Sequence, residues 1–546
     1  MSTLLMLLAA PAMADTWPPG AEIEDAAELH VTTSGLEAVT ALIPTLLPER
    51  MDIGEAVNTD GGTWCFNYEF KMDNVWVGVE LTDAQITPGN GVLDLHVDLL
   101  VNVNDSSDKF NIDYEVACIG SDCPGYVEPF EVSVDTTMAL EVVDGPDGLP
   151  VLDATMGEIF VTYADITEYL QLDCWIGDLE DILNWLGLSM YELIFGLVEG
   201  ELESAIAEMG PELEAAIEDA FSSATISEEI DVQGTVVTLD LYPSDIKIRP
   251  AGMSVIMNGA VSADENACVV DSLGGSLRTA GPPPGLADLP AGTEMGVVLA
   301  DDFINQLTYA VWRGGVLCYK LQGNDPLPIN TSLLSLIAGD VFEELFPETE
   351  AMIIATRPMN PPVARLDGEY DMNIDIEDLG LDFYGNVDDR MAKVMGMDLD
   401  VATGVNLNFD GSTGELVVDI PLSSDQVTPA VVSNELVPGT DEAILENFGG
   451  AFDTILETVV GGMLEDLAFG LPAMEGIGLT SLDVSAGGTQ GDWMVMSAGL
   501  GTVPYEATGC DDSGGCSGGC GTAQGPSRFF WMLCLPLAIV AFRRRD

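Results

Sequence analysis

The sequence predicts an α+β protein built as two tandem elongated barrels, each a curved antiparallel sheet wrapped on long amphipathic helices. Three observations predict it. The order opening helix, meander of strands, long helix, two closing strands runs twice along the chain. Apolar and polar residues alternate with period two through both meanders, between turns rich in Gly, Asn, Asp and Pro. The long helices carry apolar stripes at spacings of three and four. A helix lying along a strongly curved sheet makes a tube.

The first repeat occupies residues 22–265. Leu36, Val39, Ile43, Leu46 and Leu47 form the face of an opening helix, interrupted by Pro44 and stopped near Pro48. Val92–Val103, Phe130–Val143 and Glu158–Tyr163 then alternate as strands, separated by turns such as Pro88-Gly89-Asn90-Gly91. The longest helical stretch is Ile176–Phe221, broken near Gly187 and at Gly210-Pro211, and unusually apolar through Ile182, Trp185, Ile194, Phe195 and Val198. Strands Thr235–Leu241 and Gly252–Val261 close the repeat. Residues 266–291, with Pro282-Pro283-Pro284, read as a proline-rich linker.

The second repeat occupies residues 292–505. Gly296–Leu299 is a short apolar run, and Phe303, Ile304, Leu307, Ala310 and Val311 mark one face of a helix over Asp302–Trp312. Asp301 or Asp302 can cap its start, and Gly314-Gly315 ends it. Val316–Leu321 reads as a strand, followed by strands at Ala351–Ala355, Glu369–Ile376, Met397–Phe409 and Leu416–Ile420. The long helix Glu442–Leu467 carries one persistent stripe, Ile444, Phe448, Phe452, Ile455, Val459, Met463 and Leu467. Leu479–Val484 and Trp493–Ala498 close the repeat.

On these residues the chain resembles the family of bactericidal/permeability-increasing protein, lipopolysaccharide-binding protein and cholesteryl ester transfer protein, which has the tubular lipid-binding (TULIP) fold. Met295–Leu321, following a proline run, is similar to the opening of that family's second barrel. Gly35–Ile53 resembles its first helix, Cys118–Cys123 its cysteine-bearing turn, and Leu464–Val495 its closing strands. The resemblance implies two TULIP-type barrels that hold lipid acyl chains. Its implied lining in the second half is Phe448, Phe452, Ile455 and Val459 with Phe303 and Leu307; in the first half it is Leu36, Val39, Ile43, Ile194 and Phe195. It also implies a bridge from Cys118 or Cys123 to Cys174, like the family's single disulfide. Among the 23 Met, those at 190, 352, 372, 395, 397 and 463 sit in apolar settings and suit an adaptable lining. Met at such spacings is more usually plain core.

Charge narrows the partners. Sixteen Lys and Arg stand against 92 Asp and Glu, a net charge of −76. Such a surface repels nucleic acid and anionic headgroups, and adaptation to a salty medium or simple solubility explains it. The family's lipopolysaccharide binders carry a cationic tip on the first barrel. Here Lys and Arg are few and unclustered between Asp15 and Gly509, so recognition of lipid phosphates is not carried over.

No enzyme is expected. The chain has no GxSxG elbow and no GxxxxGK[ST] loop, and neither His30 nor His96 sits beside a nucleophile motif. No cofactor or metal is expected either: there is no CxxC pair, and Asn406-x-Asn408-x-Asp410-Gly411 places Val417 where a calcium loop needs a bidentate acid.

The two ends read as processing signals. Residues 1–14 resemble a signal peptide, with an apolar region Leu4–Ala10 and the small-x-small site Ala12-Met13-Ala14. No Lys or Arg precedes it, as an upstream true start would explain. Residues 506–528 form a Gly/Ser/Cys-rich linker with Cys510, Cys516 and Cys520. Residues 529–546 hold a 14-residue apolar run and Arg543-Arg544-Arg545, shorter than the roughly 17–20 residues of a stable membrane span. This tail resembles the tripartite C-terminal sorting signals of bacterial surface proteins, most closely the cysteine-containing MYXO-CTERM type, and implies processing near a cysteine and anchoring at the cell surface or outer membrane. An ordinary short membrane anchor is the other reading. The expectation is an exported bacterial protein that binds or transfers lipids or other small apolar ligands, held to the membrane by its tail, with no nucleic-acid partner. The rival is a structural or adhesive surface module whose barrels are packed solid.

Overall fold

The computed structural model describes residues 16–40, 50–54, 57–61, 68–116, 119–145, 148–163, 168–173, 225–232, 234–269, 274–323, 329–342, 345–421, 423–455, 468–470 and 477–503. The expected helix Ile176–Phe221 with Ile194 and Phe195, both terminal segments, Ile43, Val459, Cys118, Cys174, Cys510, Cys516, Cys520 and Arg543–Arg545 lie outside them.

The fold is α+β and mostly sheet: two curled antiparallel sheets, one per half, as expected from the repeated order of elements. In the first half the 26-residue strand Ile119–Asp144 is the spine. The sheet runs in the order Arg50–Gly54, Val75–Pro88, Leu93–Val103, the spine, Phe110–Val116, Tyr68–Asp73, Val57–Gly61, and three short strands pair with successive stretches of the spine. In the second half the order is Lys320–Gln322, Ile353–Pro358, Met372–Val387, Arg390–Asp410, Glu415–Asp419, Ala468–Gly470. Val427–Ser433 adds to Arg390–Asp410, and Val363–Arg365 to Met372–Val387.

Both halves also build a third sheet, which the sequence reading did not foresee. Its order is Ile226–Val232, Thr235–Arg249, Gly252–Ala263, Ile23–Thr32, Met295–Ala300, Trp493–Thr502, Ile477–Gly487. The seam between the halves pairs Met295 with Val31 and Leu299 with Ala27. On each side of it, the opening strand of a half is flanked by that half's own last two strands, giving an approximate two-fold.

Several strands run longer than alternation alone indicates. Thr235–Arg249 continues past Pro243, which cannot donate to a ladder, because the register shifts there by a bulge. Met372–Val387 continues past Ile376 across a second bulge at Glu377-Asp378, where Asp378 adopts φ 54. Val316–Leu321, by contrast, is not a strand; regular pairing begins at Lys320. Residues 314–317 turn instead, with Val316 buried, and Cys318 is tied by a disulfide to Cys268.

The helix Asp301–Arg313 starts at Ala300 without a side-chain cap, so neither Asp301 nor Asp302 plays that part. It ends as expected: the Gly314 N–H donates to Ala310 O and the Gly315 N–H to Trp312 O. It is buried on almost every side, polar residues included. Those polar side chains bind the backbone of neighbouring segments. Asn305 exchanges two hydrogen bonds with Ala364; Gln306 donates to Ala21 O and accepts from Val261 N; the Trp312 indole donates to Pro358 O. One helix therefore fastens segments of both halves. Phe303 lies directly over Gly259, where a Cβ would come within 2.5 Å of its ring.

The Cys268–Cys318 bridge closes a loop of 50 residues beside Tyr309 and Trp312. Replacing both cysteines by serine is expected to cost about 2–5 kcal/mol, read as a lower urea midpoint with a steeper slope, because the uncrosslinked denatured chain exposes more surface.

Candidate functional site

In the first half the spine turns one face inward: Cys123, Gly125, Val127, Phe130, Val132, Val134, Thr136, Met138 and Leu140 are all buried while the residues between them are more open. Leu36, on the short helix Thr33–Thr40, joins Val31, Ile86, Leu93, Met138, Leu140 and Met253 in a core at the near end of that face. Val39 lies on the same helix, but its side chain is outside the described part. Cys123 is disulfide-bonded; with Cys118 and Cys174 undescribed, its pairing remains an expectation.

In the second half the inner face of the hairpin Met372–Val387/Arg390–Asp410 is a ladder of opposed pairs: Met372–Val405, Ile374–Thr403, Ile376–Val401, Leu379–Leu399, Leu381–Met397 and Phe383–Met395. Thr403 is the one polar member, and its hydroxyl donates to Pro421 O. At about 3.3 Å per residue the ladder is roughly 35 Å long. Its ends are closed. Met372 and Val405 belong to the core against the central sheet, and Phe383, Met395 and Met397 to a distal core. Along the first strand of the ladder, Ile374, Ile376, Leu379 and Leu381 are only half-buried, Ile374 against the central-sheet core and the other three against the distal core, which holds their partners Val401, Leu399 and Met397. That middle stretch is apolar surface facing inward and left partly open.

Two helices cover the distal core. Ser332–Ala338 contributes Leu333, Leu334 and Ile337, and Asp441–Ile455 contributes Ile444 and Phe448. Phe452 packs at its edge, with its ring 5.5 Å from that of Phe448. Asp453 secures this helix by accepting from the Ser424 N–H and hydroxyl, both at 2.9 Å. Ile455 is the last described residue of the helix, with its side chain outside the described part. The structure thus joins Phe448 and Phe452 but does not bring them to Phe303 and Leu307, which lie in the core against the central sheet. Ile374, Ile376, Leu379 and Leu381 were absent from the sequence-derived lining. The bulge at Glu377-Asp378 shifts the alternation by one residue and hides its continuation. Met352, Met372, Met395 and Met397 are all buried, as their settings implied.

Polar chemistry lies elsewhere. On the opposite face of the central sheet, His30 Nδ1 is 2.8 Å from Ser254 Oγ, and His30 Nε2 is 3.2 Å from Glu28 and 3.3 Å from Pro284 O. Burial pushes Glu28 up to about 7 and holds His30 below the usual histidine range. A serine, a histidine and an acid in contact suggest a nucleophile relay, but its surroundings do not serve one. His30 is 1% exposed, and the strands carrying Ser254 and His30 are paired on both edges, so their N–H groups are spent on the ladder and offer no oxyanion site. His96 is on the surface, where a hydrogen bond to Asp135 raises its pKa. Among the described residues no group of three His, Cys, Asp or Glu is arranged to hold a metal ion, and no helix is long and apolar enough to cross a membrane.

Phe448→Ala should cost about 3–5 kcal/mol by emptying a closed core. Phe452→Ala should cost clearly less, because its ring is already part-exposed. Urea unfolding of the two variants checks the ranking.

Comparison with known proteins finds low-identity likenesses. The crystal structure of lipopolysaccharide binding protein is 11% identical over 88% of this chain and 100% of its own, with a TM-score of 0.45. P47 of Clostridium botulinum E1 is 10% identical over 89% of this chain and 100% of its own, at 0.24. Takeout 1 of Epiphyas postvittana is 10% identical over 34% of this chain and 92% of its own, at 0.19. No family model and no curated protein matches the chain. Function is therefore read from the side chains of this chain.

Proposed function

We propose that this is a lipid-binding or lipid-transfer protein that takes an acyl chain, or a similar small apolar ligand, along the inner ladder of its second half. The observation that carries the reading is the half-buried run Ile374, Ile376, Leu379 and Leu381 along one strand of the ladder, opposite the buried Val401, Leu399 and Met397. Inward apolar surface left partly open is what an aliphatic ligand would cover, gaining roughly 25 cal/mol per Å². The role proposed is binding, not catalysis. We also propose export and anchoring at a bacterial cell surface or outer membrane. The disulfide Cys268–Cys318 and the bonded Cys123 support an oxidising compartment; the signal-like residues 1–14 and the sorting-type tail supply the rest.

The second reading, a structural module with solid barrels, draws on the closed distal core around Phe383, Met395 and Met397. One variant separates the two. In the binding protein, Leu379→Trp fills open space, so bound lipid seen by native mass spectrometry should fall while the melting temperature holds. In a solid barrel the same change overpacks the core and costs about 1–3 kcal/mol, and the parent carries no lipid. Intact mass of surface-extracted protein tests the anchoring: a full-length unmodified chain, freely soluble, is the result that defeats it.

A further inference from the structure

The linker between the halves is not a free tether. Ser276–Leu277 pairs with Thr16–Trp17, and the chain then crosses the central sheet as a strap. The Thr279 and Ala280 N–H groups donate to Asp302 Oδ1, and the Gly281 N–H to Asp492. The Trp17 indole donates to Asp302 Oδ2 at 2.9 Å, and the Trp493 indole to Gly281 O at 3.1 Å. Further along, Pro284 O faces His30 Nε2, and the Leu289 side chain lies over Gly296.

Nearly every polar fastening of this strap is a buried titratable group. Asp301, Asp302 and Asp492 crowd the first turn of the central helix at 8%, 3% and 5% exposure. Asp301 Oδ1 and Asp492 Oδ1 have no hydrogen-bond partner. The positive end of a helix favours nearby anions, but three buried carboxylates exceed what its partial charge can balance. The groups acting on Asp301 are Asp302 and Asp492, which oppose its ionisation, and the Thr279 hydroxyl, which favours it. Arg278 on the strap lies over the Trp17 ring. Glu28 is acted on by Lys247, which favours its ionisation, and Asp25, which opposes it, and it contacts the buried His30.

We propose that this strap is a pH-gated clasp between the two halves, closed while Asp301 beneath it and Glu28 beside the buried His30 hold their protons and loosened when these two acids ionise. Burial pushes both Asp301 and Glu28 up to about 7. Both values lie above those of a solvated carboxylate, so the closed state binds the protons more tightly than the open one. Closure is therefore fully favoured below the solvated pKa and is lost as the pH rises through 7.

The test is hydrogen exchange of the full chain at the Thr279, Ala280 and Gly281 amides, corrected for intrinsic rate, at pH 6 and 8.5. Protection in the parent should fall about tenfold for each acid that the opening exposes. Asp301→Asn and Glu28→Gln each keep the shape of the neutral acid and should each remove a share of the fall. Amides of Leu239 and Val298 in the central sheet should stay protected throughout. Protection that does not change with pH in the parent overturns the clasp, with no need of a variant. So does a fall of equal size in the double variant, or a loss shared by Leu239 and Val298, which would be general unfolding.

Discussion

The helix Asp301–Arg313 is a buried helix whose polar side chains have been given backbone to hold. Burying an amide without a partner costs a few kcal/mol. Asn305, Gln306 and the Trp312 indole avoid that cost by meeting Ala364, Ala21, Val261 and Pro358. Those partners come from both halves, so the helix cannot be satisfied by either half alone. The constraint propagates outward. Gly259 must stay without a side chain beneath Phe303, and the seam between Ile23–Thr32 and Met295–Ala300 must keep its register.

The halves are consequently unequal in spite of their common order of elements. The first has a 26-residue spine closed along its inner face, and the second has a long hairpin with a partly open middle. The bulges at Pro243, in Thr235–Arg249 of the central sheet, and at Glu377-Asp378, in the hairpin, occur where a residue cannot continue a regular ladder. They let a strand bend around a core without surrendering its apolar face.

Much of this architecture was legible in the sequence. The strands that close each half were located, and the stripe Ile444, Phe448, Phe452 located the covering helix, because one buried face imposes one period; the opening strand Ile23–Thr32 was missed. The shared sheet was not legible, since strand pairing between distant segments leaves no periodic mark. Nor was the burial of Asp301, Asp302, Asn305 and Gln306: polar residues read as solvent-facing until their partners, hundreds of residues away in the case of Trp17 and Ala21, are known. The half-buried ladder residues were missed for a local reason, the extra residue at Glu377-Asp378 that flips the parity of the pattern.

The disulfide Cys268–Cys318 encloses the strap, the opening strand of the second half and the central helix within one covalent loop. Tension applied along the chain from outside that loop passes through the sulfur–sulfur link and bypasses everything between. The backbone between the two cysteines is thus mechanically shunted, and a pull on the ends reaches the strap and the helix only through their non-covalent contacts, with Thr16–Trp17 and Ala21 on one side and Trp493 on the other.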